Sequence, residues 1–226
     1  ANAPTVQGAI EEALERMHGH PVRNQGAGRT DSGVHAIGQV GNFHTDLDSI
    51  AAEQWQVALN SYLPRDIRVL ESREVPAGFN AKSSAVARAY GYYLYPGAAV
   101  PPHLCRYCWR AGRRPAVDRL NRLAAVFVGS HDFTTFAAAG DPSRSKVRRV
   151  DASAFHPEGP LLVYRVAASS FVWKMVRSLV GTMLEYEACG RSPADLAMAL
   201  EGRRRDLAGP SAPAWGLFLE RVLYDE

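Results

Sequence analysis

Residues 26–36 read Gly26-Ala27-Gly28-Arg29-Thr30-Asp31-Ser32-Gly33-Val34-His35-Ala36, and these residue types exceed what an ordinary turn needs. The three glycines permit positive φ angles and let another molecule approach the backbone closely. Asp31 lies two residues from Arg29, and a nearby cation favours the charged carboxylate that a nucleophilic or charge-stabilising aspartate requires. An Asx turn, in which the carboxylate bonds to its own backbone, accounts for the same residues equally well. Local chemistry alone therefore leaves both interpretations open.

A phosphate-binding loop is a further interpretation of this stretch, because glycine-rich backbone amides bind anions. No Gly-Lys-Ser/Thr sequence follows the glycines, and the next segment, 34–43, has the character of a strand rather than a helix. Neither a P-loop nor a dinucleotide-binding fingerprint is satisfied.

The bulk composition indicates an ordinary globular protein. Of the 226 residues, 46% are hydrophobic and 22% are charged, which excludes the disordered and collagen classes. No apolar run approaches the roughly 18 residues that a membrane span needs. The net charge of +3 is compatible with a polyanionic partner, although any one basic cluster is more often solvated surface. The basic residues cluster at Arg144, Lys146, Arg148 and Arg149, at Lys174 and Arg177, and at Arg203 to Arg205.

The cysteines indicate a reducing compartment, and the cytoplasm is the expected location. Three cysteines cannot form a full set of bridges, and the chain is large for a disulfide scaffold. Cys105 and Cys108 form a CxxC pair near His103, but no second pair follows, so we expect inert thiols and no metal site.

The chain mixes helices and strands without strict alternation, which predicts the α+β class. A proline-rich segment at 96–115 predicts a connector, so we divide the chain into an N-terminal subdomain, 1–97, that carries the Asp31 loop and a C-terminal subdomain, 98–226. Apolar periodicity and capping residues predict helices at 6–17 with Thr5 as N-cap, 51–62, 117–127, 172–183 extending to Gly190, and 193–200, and strands at 34–43, 67–75, 85–95, 147–155, 161–168 and 216–224.

A series of short motifs spans nearly the whole chain in a fixed order. They are Thr5-Val6-Gln7, Gly28 to Ala36, Asn60 to Pro64 with Asp66-Ile67, Phe79 with Ala81, Arg88 with Tyr90 and Tyr92, Gly129 to Thr134, Phe171 with Met175-Val176-Arg177 and Gly181, and Ala212-Pro213-Ala214 with Gly216-Leu217. In residue type and order, this set closely resembles the tRNA pseudouridine synthase A family.

The resemblance implies the pseudouridine synthase fold, in which two α/β subdomains with mainly antiparallel sheets flank a central RNA-binding cleft. It implies that uridine is isomerised to pseudouridine in the tRNA anticodon stem-loop, at positions 38, 39 and 40, without metal or organic cofactor. It further implies a homodimer whose subunits share one tRNA. A uridine in a stem must leave the stack to be modified, at a cost of a few kcal/mol.

The resemblance also assigns roles to individual residues. Asp31 is the essential catalytic residue, and Arg29 pairs with it and holds the position that the flipped base vacates. Tyr90 stacks on the target base, Arg177 faces the cleft, and Leu217 forms an apolar wall for the uracil.

Two further substrate-binding residues are Arg88 and Lys82, and the second marks a departure from the family. Family members read Phe-His-Ala-Arg where this chain has Asn80 and Lys82, which keeps the charge but removes bidentate geometry. The family also begins with a strand and a Tyr-Asp-Gly loop before the Thr-Val-Gln helix, so we expect the natural protein to have residues ahead of Ala1.

Two other functions remain open at this stage. A catalytically silent RNA-binding protein on the same fold would keep the basic clusters without turnover. A nucleoside hydrolase or glycosidase would use Asp31 together with a second acid, and the motif contains only one.

Overall fold

The computed structural model of this protein describes residues 4–225. Within them the chain forms two compact units, the first made of residues up to Arg29 together with Val40–Ala85, and the second of Thr30–Gln39 together with residues from Val86 onward. The motif that contains Asp31 therefore contributes to both units. The division into residues 1–97 and 98–226 stays a prediction. Of the strand Ala85–Tyr95, the residues from Val86 onward belong to the second unit, where they pair with a neighbouring strand.

The described residues form five α-helices, nine strands and several short 3-10 helices. The helices are α1 Val6–His18, α2 Trp55–Tyr62, α3 Val117–Ala124, α4 Met175–Cys189 and α5 Pro193–Glu201. The strands are β1 Gln25–Gly26, β2 His35–Ala36, β3 Gly41–Asn42, β4 Ala85–Tyr95, β5 Trp109–Arg110, β6 Gly129–Asp132, β7 Val147–Glu158, β8 Leu161–Ala168 and β9 Leu217–Tyr224.

The first unit packs α1 against α2 beside the two-stranded antiparallel sheet of β1 and β3. The predicted N-cap of α1 is confirmed, because the Thr5 hydroxyl accepts a hydrogen bond from the Gly8 amide at 3.0 Å. Gly19 ends the helix with a φ of 73°, a conformation that glycine adopts at low cost. The core of this unit contains Leu14 from α1 and Trp55 from α2.

The second unit is built on a seven-stranded sheet with the order β2-β9-β4-β8-β7-β6, to which β5 is added at β4. The long pairs β4–β8 and β7–β8 and the pair β6–β7 are antiparallel, whereas β2–β9 and β4–β5 are parallel. The predicted α+β class with a mainly antiparallel sheet is confirmed. Side chains of β4 and β8 form one core with those of α3 and α4; among its members are Tyr92, Leu94, Tyr164, Val166, Leu120, Leu123, Leu179, Val180 and Met183.

Helices α4 and α5 follow their predicted termini closely, with one exception. Gly190 ends α4 with a φ of 77°, and Ser192 and Asp195 form the capping box of α5. The predicted helix start at 172 is wrong by three residues, because Lys174 has a φ of 58° and α4 begins at Met175.

Two strand predictions are wrong, each for a specific reason. No regular strand forms at 67–75, because both backbone groups of Val69 bond to the side-chain amide of Asn60, each at 2.8 Å, instead of to a neighbouring strand. The predicted strand 34–43 is divided into β2 and β3, and a Cβ on Gly38 between them would lie 2.0 Å from the Glu220 carbonyl oxygen. The short strand β6, Gly129–Asp132, was not predicted.

Candidate active site

Asp31 lies in a tight turn of the second unit that directs its carboxylate outward. The Asp31 carbonyl accepts a hydrogen bond from the Val34 amide at 3.0 Å, and this bond closes the turn. Gly33 has a φ of 80°, and a Cβ at this position would lie 3.3 Å from the Ala214 side chain. Glycine satisfies both the left-handed backbone and the close approach. The Asp31 side chain is 40% exposed, so a substrate can reach it.

The guanidinium that faces Asp31 belongs to Arg177, in the first turn of α4. Arg177 Nη1 donates to Asp31 Oδ2 at 3.2 Å, and Nε of the same side chain donates to the Ala212 carbonyl at 2.7 Å. The Ala212 amide in turn donates to the Arg177 carbonyl at 2.9 Å. The Arg177 side chain is only 15% exposed. Fixed at its backbone and at one edge of its fork, it presents the other edge to the carboxylate.

Tyr90 extends from β4 into the same neighbourhood. Its ring packs edge-on against Phe171, with centroids 5.0 Å apart and an interplanar angle of 78°. Burial raises the pKa of the Tyr90 hydroxyl to about 12, an effect that Arg88 opposes and that the Asp31 carboxylate strengthens. The phenol is therefore neutral at physiological pH, and it lies within electrostatic reach of Asp31.

The segment after Ala212 connects this neighbourhood to the core. The Tyr92 hydroxyl donates to the Pro213 carbonyl at 2.8 Å, and a Cβ on Gly216 would lie 2.9 Å from the Tyr92 ring. Leu217, at the start of β9, is buried in the core of the second unit. Tyr92 itself is fully buried and packs in the core.

Comparison with known proteins identifies the family of this chain. Residues 1–82 and 123–225 match the family model described as tRNA pseudouridine synthase. The chain belongs to the tRNA pseudouridine synthase family.

Relatives in this family match nearly the full chain. The tRNA pseudouridine synthase A of Treponema denticola is 43% identical over 222 residues, which cover 98% of this chain and 83% of the relative. That of Geobacillus kaustophilus is 43% identical over 223 residues, with 98% and 86% covered. That of Moorella thermoacetica is 43% identical over 225 residues, with 99% and 91% covered.

In this member of the pseudouridine synthase family, the remaining predicted site residues lie in both units. Arg88 is half-buried in the second unit, where its Nη1 donates to the Ser169 carbonyl at 3.1 Å. Lys82 and Arg29 are exposed residues of the first unit. Their relation to Asp31, including the expected pairing of Arg29 with it, stays a prediction.

Sequence reasoning placed Arg177 in the cleft but did not identify it as the partner of Asp31. The two residues are separated by 146 positions, so no local spacing signals their contact. Their helix and turn meet because the sheet brings β2 and β9 together, and β9 follows the segment that holds Ala212.

The cysteine and histidine side chains do not form a metal site in the part of the chain that the structure describes. Among residues 4–225, no group of three or more His, Cys, Asp or Glu side chains is placed to hold a metal ion. Cys105 is exposed, whereas Cys108 is buried, which raises the pKa of its thiol. No helix within residues 4–225 is both long and apolar enough to cross a membrane.

Proposed function

We propose that this protein isomerises uridine to pseudouridine in the anticodon stem-loop of tRNA, at positions 38, 39 and 40, with Asp31 as the essential catalytic residue. The observation that carries the proposal is the exposed Asp31 carboxylate, held in a glycine turn and faced by the guanidinium of Arg177 at 3.2 Å. The name tRNA pseudouridine synthase A, which the relatives bear, supports the same activity.

The reaction is balanced without any added reactant. The bond between uracil N1 and the ribose breaks, the base turns in the site, and C5 bonds to the ribose carbon that N1 has left. The proton on C5 is lost and N1 gains one. The Asp31 carboxylate serves by attacking the sugar or the base, or by taking a ribose proton, and each role needs an accessible oxygen lone pair beside the flipped nucleotide.

The substrate base must leave the helical stack, and the remaining site residues supply what this step requires. Tyr90 offers a neutral aromatic face, which stacks on a pyrimidine. Arg29 has a planar guanidinium suited to the space that the base vacates, and Lys82 and Arg88 supply cations for the RNA backbone. Leu217 supplies the apolar wall of the uracil pocket.

The test is the mapping of pseudouridine in tRNA incubated with the protein and with its Asp31→Asn and Asp31→Ala variants. We expect both variants to lose product formation while they keep RNA affinity, because the carboxylate acts in the chemistry. Product formation at the wild-type rate in Asp31→Ala would end the proposal. Release of tritium from C5-labelled uridine separates this enzyme from a silent RNA-binding protein on the same fold, which would bind without release.

The oligomeric state and location form the last part of the proposal. We expect a homodimer whose subunits share one tRNA, and a stable monomer in sedimentation would contradict this expectation. We expect the protein to act in the cytoplasm, which is consistent with cysteines that are all free in the described residues.

A further inference from the structure

Trp173 is an exposed aromatic residue on a firmly held backbone. Its amide donates to Asp141 Oδ2 at 2.5 Å, and its carbonyl accepts a hydrogen bond from the Ala138 amide at 2.9 Å. The residue is nevertheless 48% exposed, and among residues 4–225 no other aromatic ring packs against its indole. About half of this tryptophan therefore faces solvent, where its ring is open to a binding partner.

The group that holds Trp173 is a buried carboxylate that the proposed reaction does not use. The Asp141 side chain is 1% exposed, and it accepts hydrogen bonds from the Lys146 ammonium and from the Ser143 amide, each at 2.9 Å. Burial alone would raise the pKa of Asp141, but the bonds from Trp173, Lys146 and Ser143 outweigh burial and hold that pKa well below its usual range. We call Asp141, the Lys146 ammonium that donates to it, and the bond that Asp141 accepts from the Trp173 amide the Asp141 bracket.

Trp173, the residue that the Asp141 bracket holds, is close in sequence to residues of the candidate active site. Trp173 lies two residues after Phe171, whose ring contacts Tyr90, and four residues before Arg177, which donates to Asp31. The next residue, Lys174, is also exposed. An exposed ring that can stack on a base and a nearby cation that can attract a phosphate are the two kinds of contact by which proteins bind single-stranded nucleic acid.

We propose that Trp173 contacts the substrate by stacking on a nucleobase next to the target uridine, and that Asp141 is a positioning residue that holds the backbone from which the indole projects. The proposal rests on the proposed function, because RNA is the partner that function supplies. A nucleobase fits one exposed ring, whereas a stable protein interface buries about 800 Å² on each partner.

The first experiment measures the dissociation constant of a fluorescein-labelled anticodon stem-loop RNA for wild type, Trp173→Ala and Trp173→Phe. The matched control is Met198→Ala, which removes an apolar side chain that is 62% exposed on α5. Loss of one stacked base weakens binding about 5- to 150-fold, so we expect that loss for Trp173→Ala, a small change for Trp173→Phe and none for the control. The slope of affinity against salt concentration should stay unchanged, because stacking releases no counterions.

Two results of this experiment would overturn the stacking contact. One is wild-type affinity in Trp173→Ala. The other is a loss of affinity in Trp173→Ala that is accompanied by a shallower dependence of affinity on salt concentration and is fully explained by it, since that would indicate a lost phosphate contact.

The second experiment identifies the base by an abasic scan of the loop nucleotides, measured with wild type and Trp173→Ala. At one position, removal of the base should weaken binding to wild type but not to the variant, because the stacking partner is already absent. If Trp173→Ala binds every abasic RNA more weakly than wild type does, and by the same factor at each position, stacking on a base is refuted. Such a uniform loss would indicate a structural role instead.

Asp141→Asn tests the positioning role. We expect it to weaken RNA binding in the same direction as Trp173→Ala, and the double variant to bind no more weakly than Trp173→Ala alone. Additive losses would overturn the role of Asp141 as a positioning residue. Thermal melting of each variant measures stability separately, and the Trp173 variants test the contact even if Asp141→Asn folds poorly.

The failure of this inference and the failure of the proposed function give different results. If wild type forms no pseudouridine but shows the Trp173-dependent abasic position, the catalytic proposal fails and the stacking contact stands. If wild type forms pseudouridine and Trp173→Ala binds normally, only the stacking contact fails.

Discussion

Replacement of Arg177 by lysine tests whether a fixed guanidinium orients Asp31. Arg177 makes two contacts at once, to the Ala212 carbonyl at 2.7 Å and to the Asp31 carboxylate at 3.2 Å. The rigid fork of arginine supplies both donors in one plane, whereas lysine offers a single charged nitrogen on a flexible chain. Arg177→Lys therefore keeps the positive charge but loses one of the two contacts.

The expected magnitude follows from which contact is lost. The Asp31 side chain is 40% exposed, so solvent screens its ion pair with Arg177. We therefore assign the pair a free energy of about 1 kcal/mol, the upper end of the range for surface ion pairs. That loss alone lowers the rate about fivefold. If the carboxylate is also displaced by about 1 Å, the rate falls by up to about 100-fold. We therefore expect kcat to fall between about 5- and 100-fold. KM should change little, because RNA binding draws on many other cations.

The assay is single-turnover pseudouridine formation with enzyme in excess over tRNA, together with steady-state kinetics. Arg16→Lys is the matched control, because Arg16 also pairs with a carboxylate, that of Glu12, but on the exposed face of α1. Arg177→Met should lose more activity than Arg177→Lys, since it removes both contacts and the charge. An unchanged kcat in both Arg177 variants would refute the orienting role. A loss confined to KM would mean that Arg177 binds RNA rather than orients Asp31.

Three further predictions concern stability. Gly181→Ala places a Cβ 1.8 Å from the Pro210 carbonyl oxygen, and we expect a loss of about 1–3 kcal/mol, measured by thermal melting. Tyr92→Phe leaves the Pro213 carbonyl without its donor and should cost about 1 kcal/mol in urea unfolding, with an unchanged m-value. The folded-state pKa of Asp141 is lowered, so the stability that its carboxylate contributes is fully present above the unfolded pKa of about 4 and is lost as pH falls through the folded-state pKa. Asp141→Asn should therefore lower the free energy of unfolding at pH 6 and lower it progressively less below about pH 4. An equal loss of stability at pH 6 and below about pH 4 would contradict this prediction.

Local signals in the sequence predicted the parts of the site that local chemistry builds. Gly33 marked a turn that presents Asp31, and the structure has that turn with a positive φ at Gly33. Thr5 marked the start of α1, because a side-chain cap needs only residues three positions apart. These features need no knowledge of the rest of the chain.

The parts that failed depend on partners distant in sequence or on a competing local bond. The segment 67–75 has the composition of a strand, but a side-chain amide, that of Asn60, satisfies the Val69 backbone first. The contact between Arg177 and Asp31 exists only because the sheet brings together residues 146 positions apart. Residue spacing along the sequence predicts neither the Asn60–Val69 bonds nor the Arg177–Asp31 contact, because both depend on where the folded chain places the partners.

The start of α4 connects these observations. A non-glycine residue with a φ of 58°, as at Lys174, costs about 1–2 kcal/mol, so something must offset that cost. The charge-assisted bond from the Trp173 amide to the Asp141 carboxylate contributes to this offset, because it fixes the backbone directly before Lys174. Helix α4 then begins at Met175, which brings Arg177 into its first turn opposite Asp31. Asp141→Asn should therefore reduce kcat in the direction of Arg177→Lys in the single-turnover assay. An unchanged kcat in Asp141→Asn would contradict a role of the bracket in setting the start of α4.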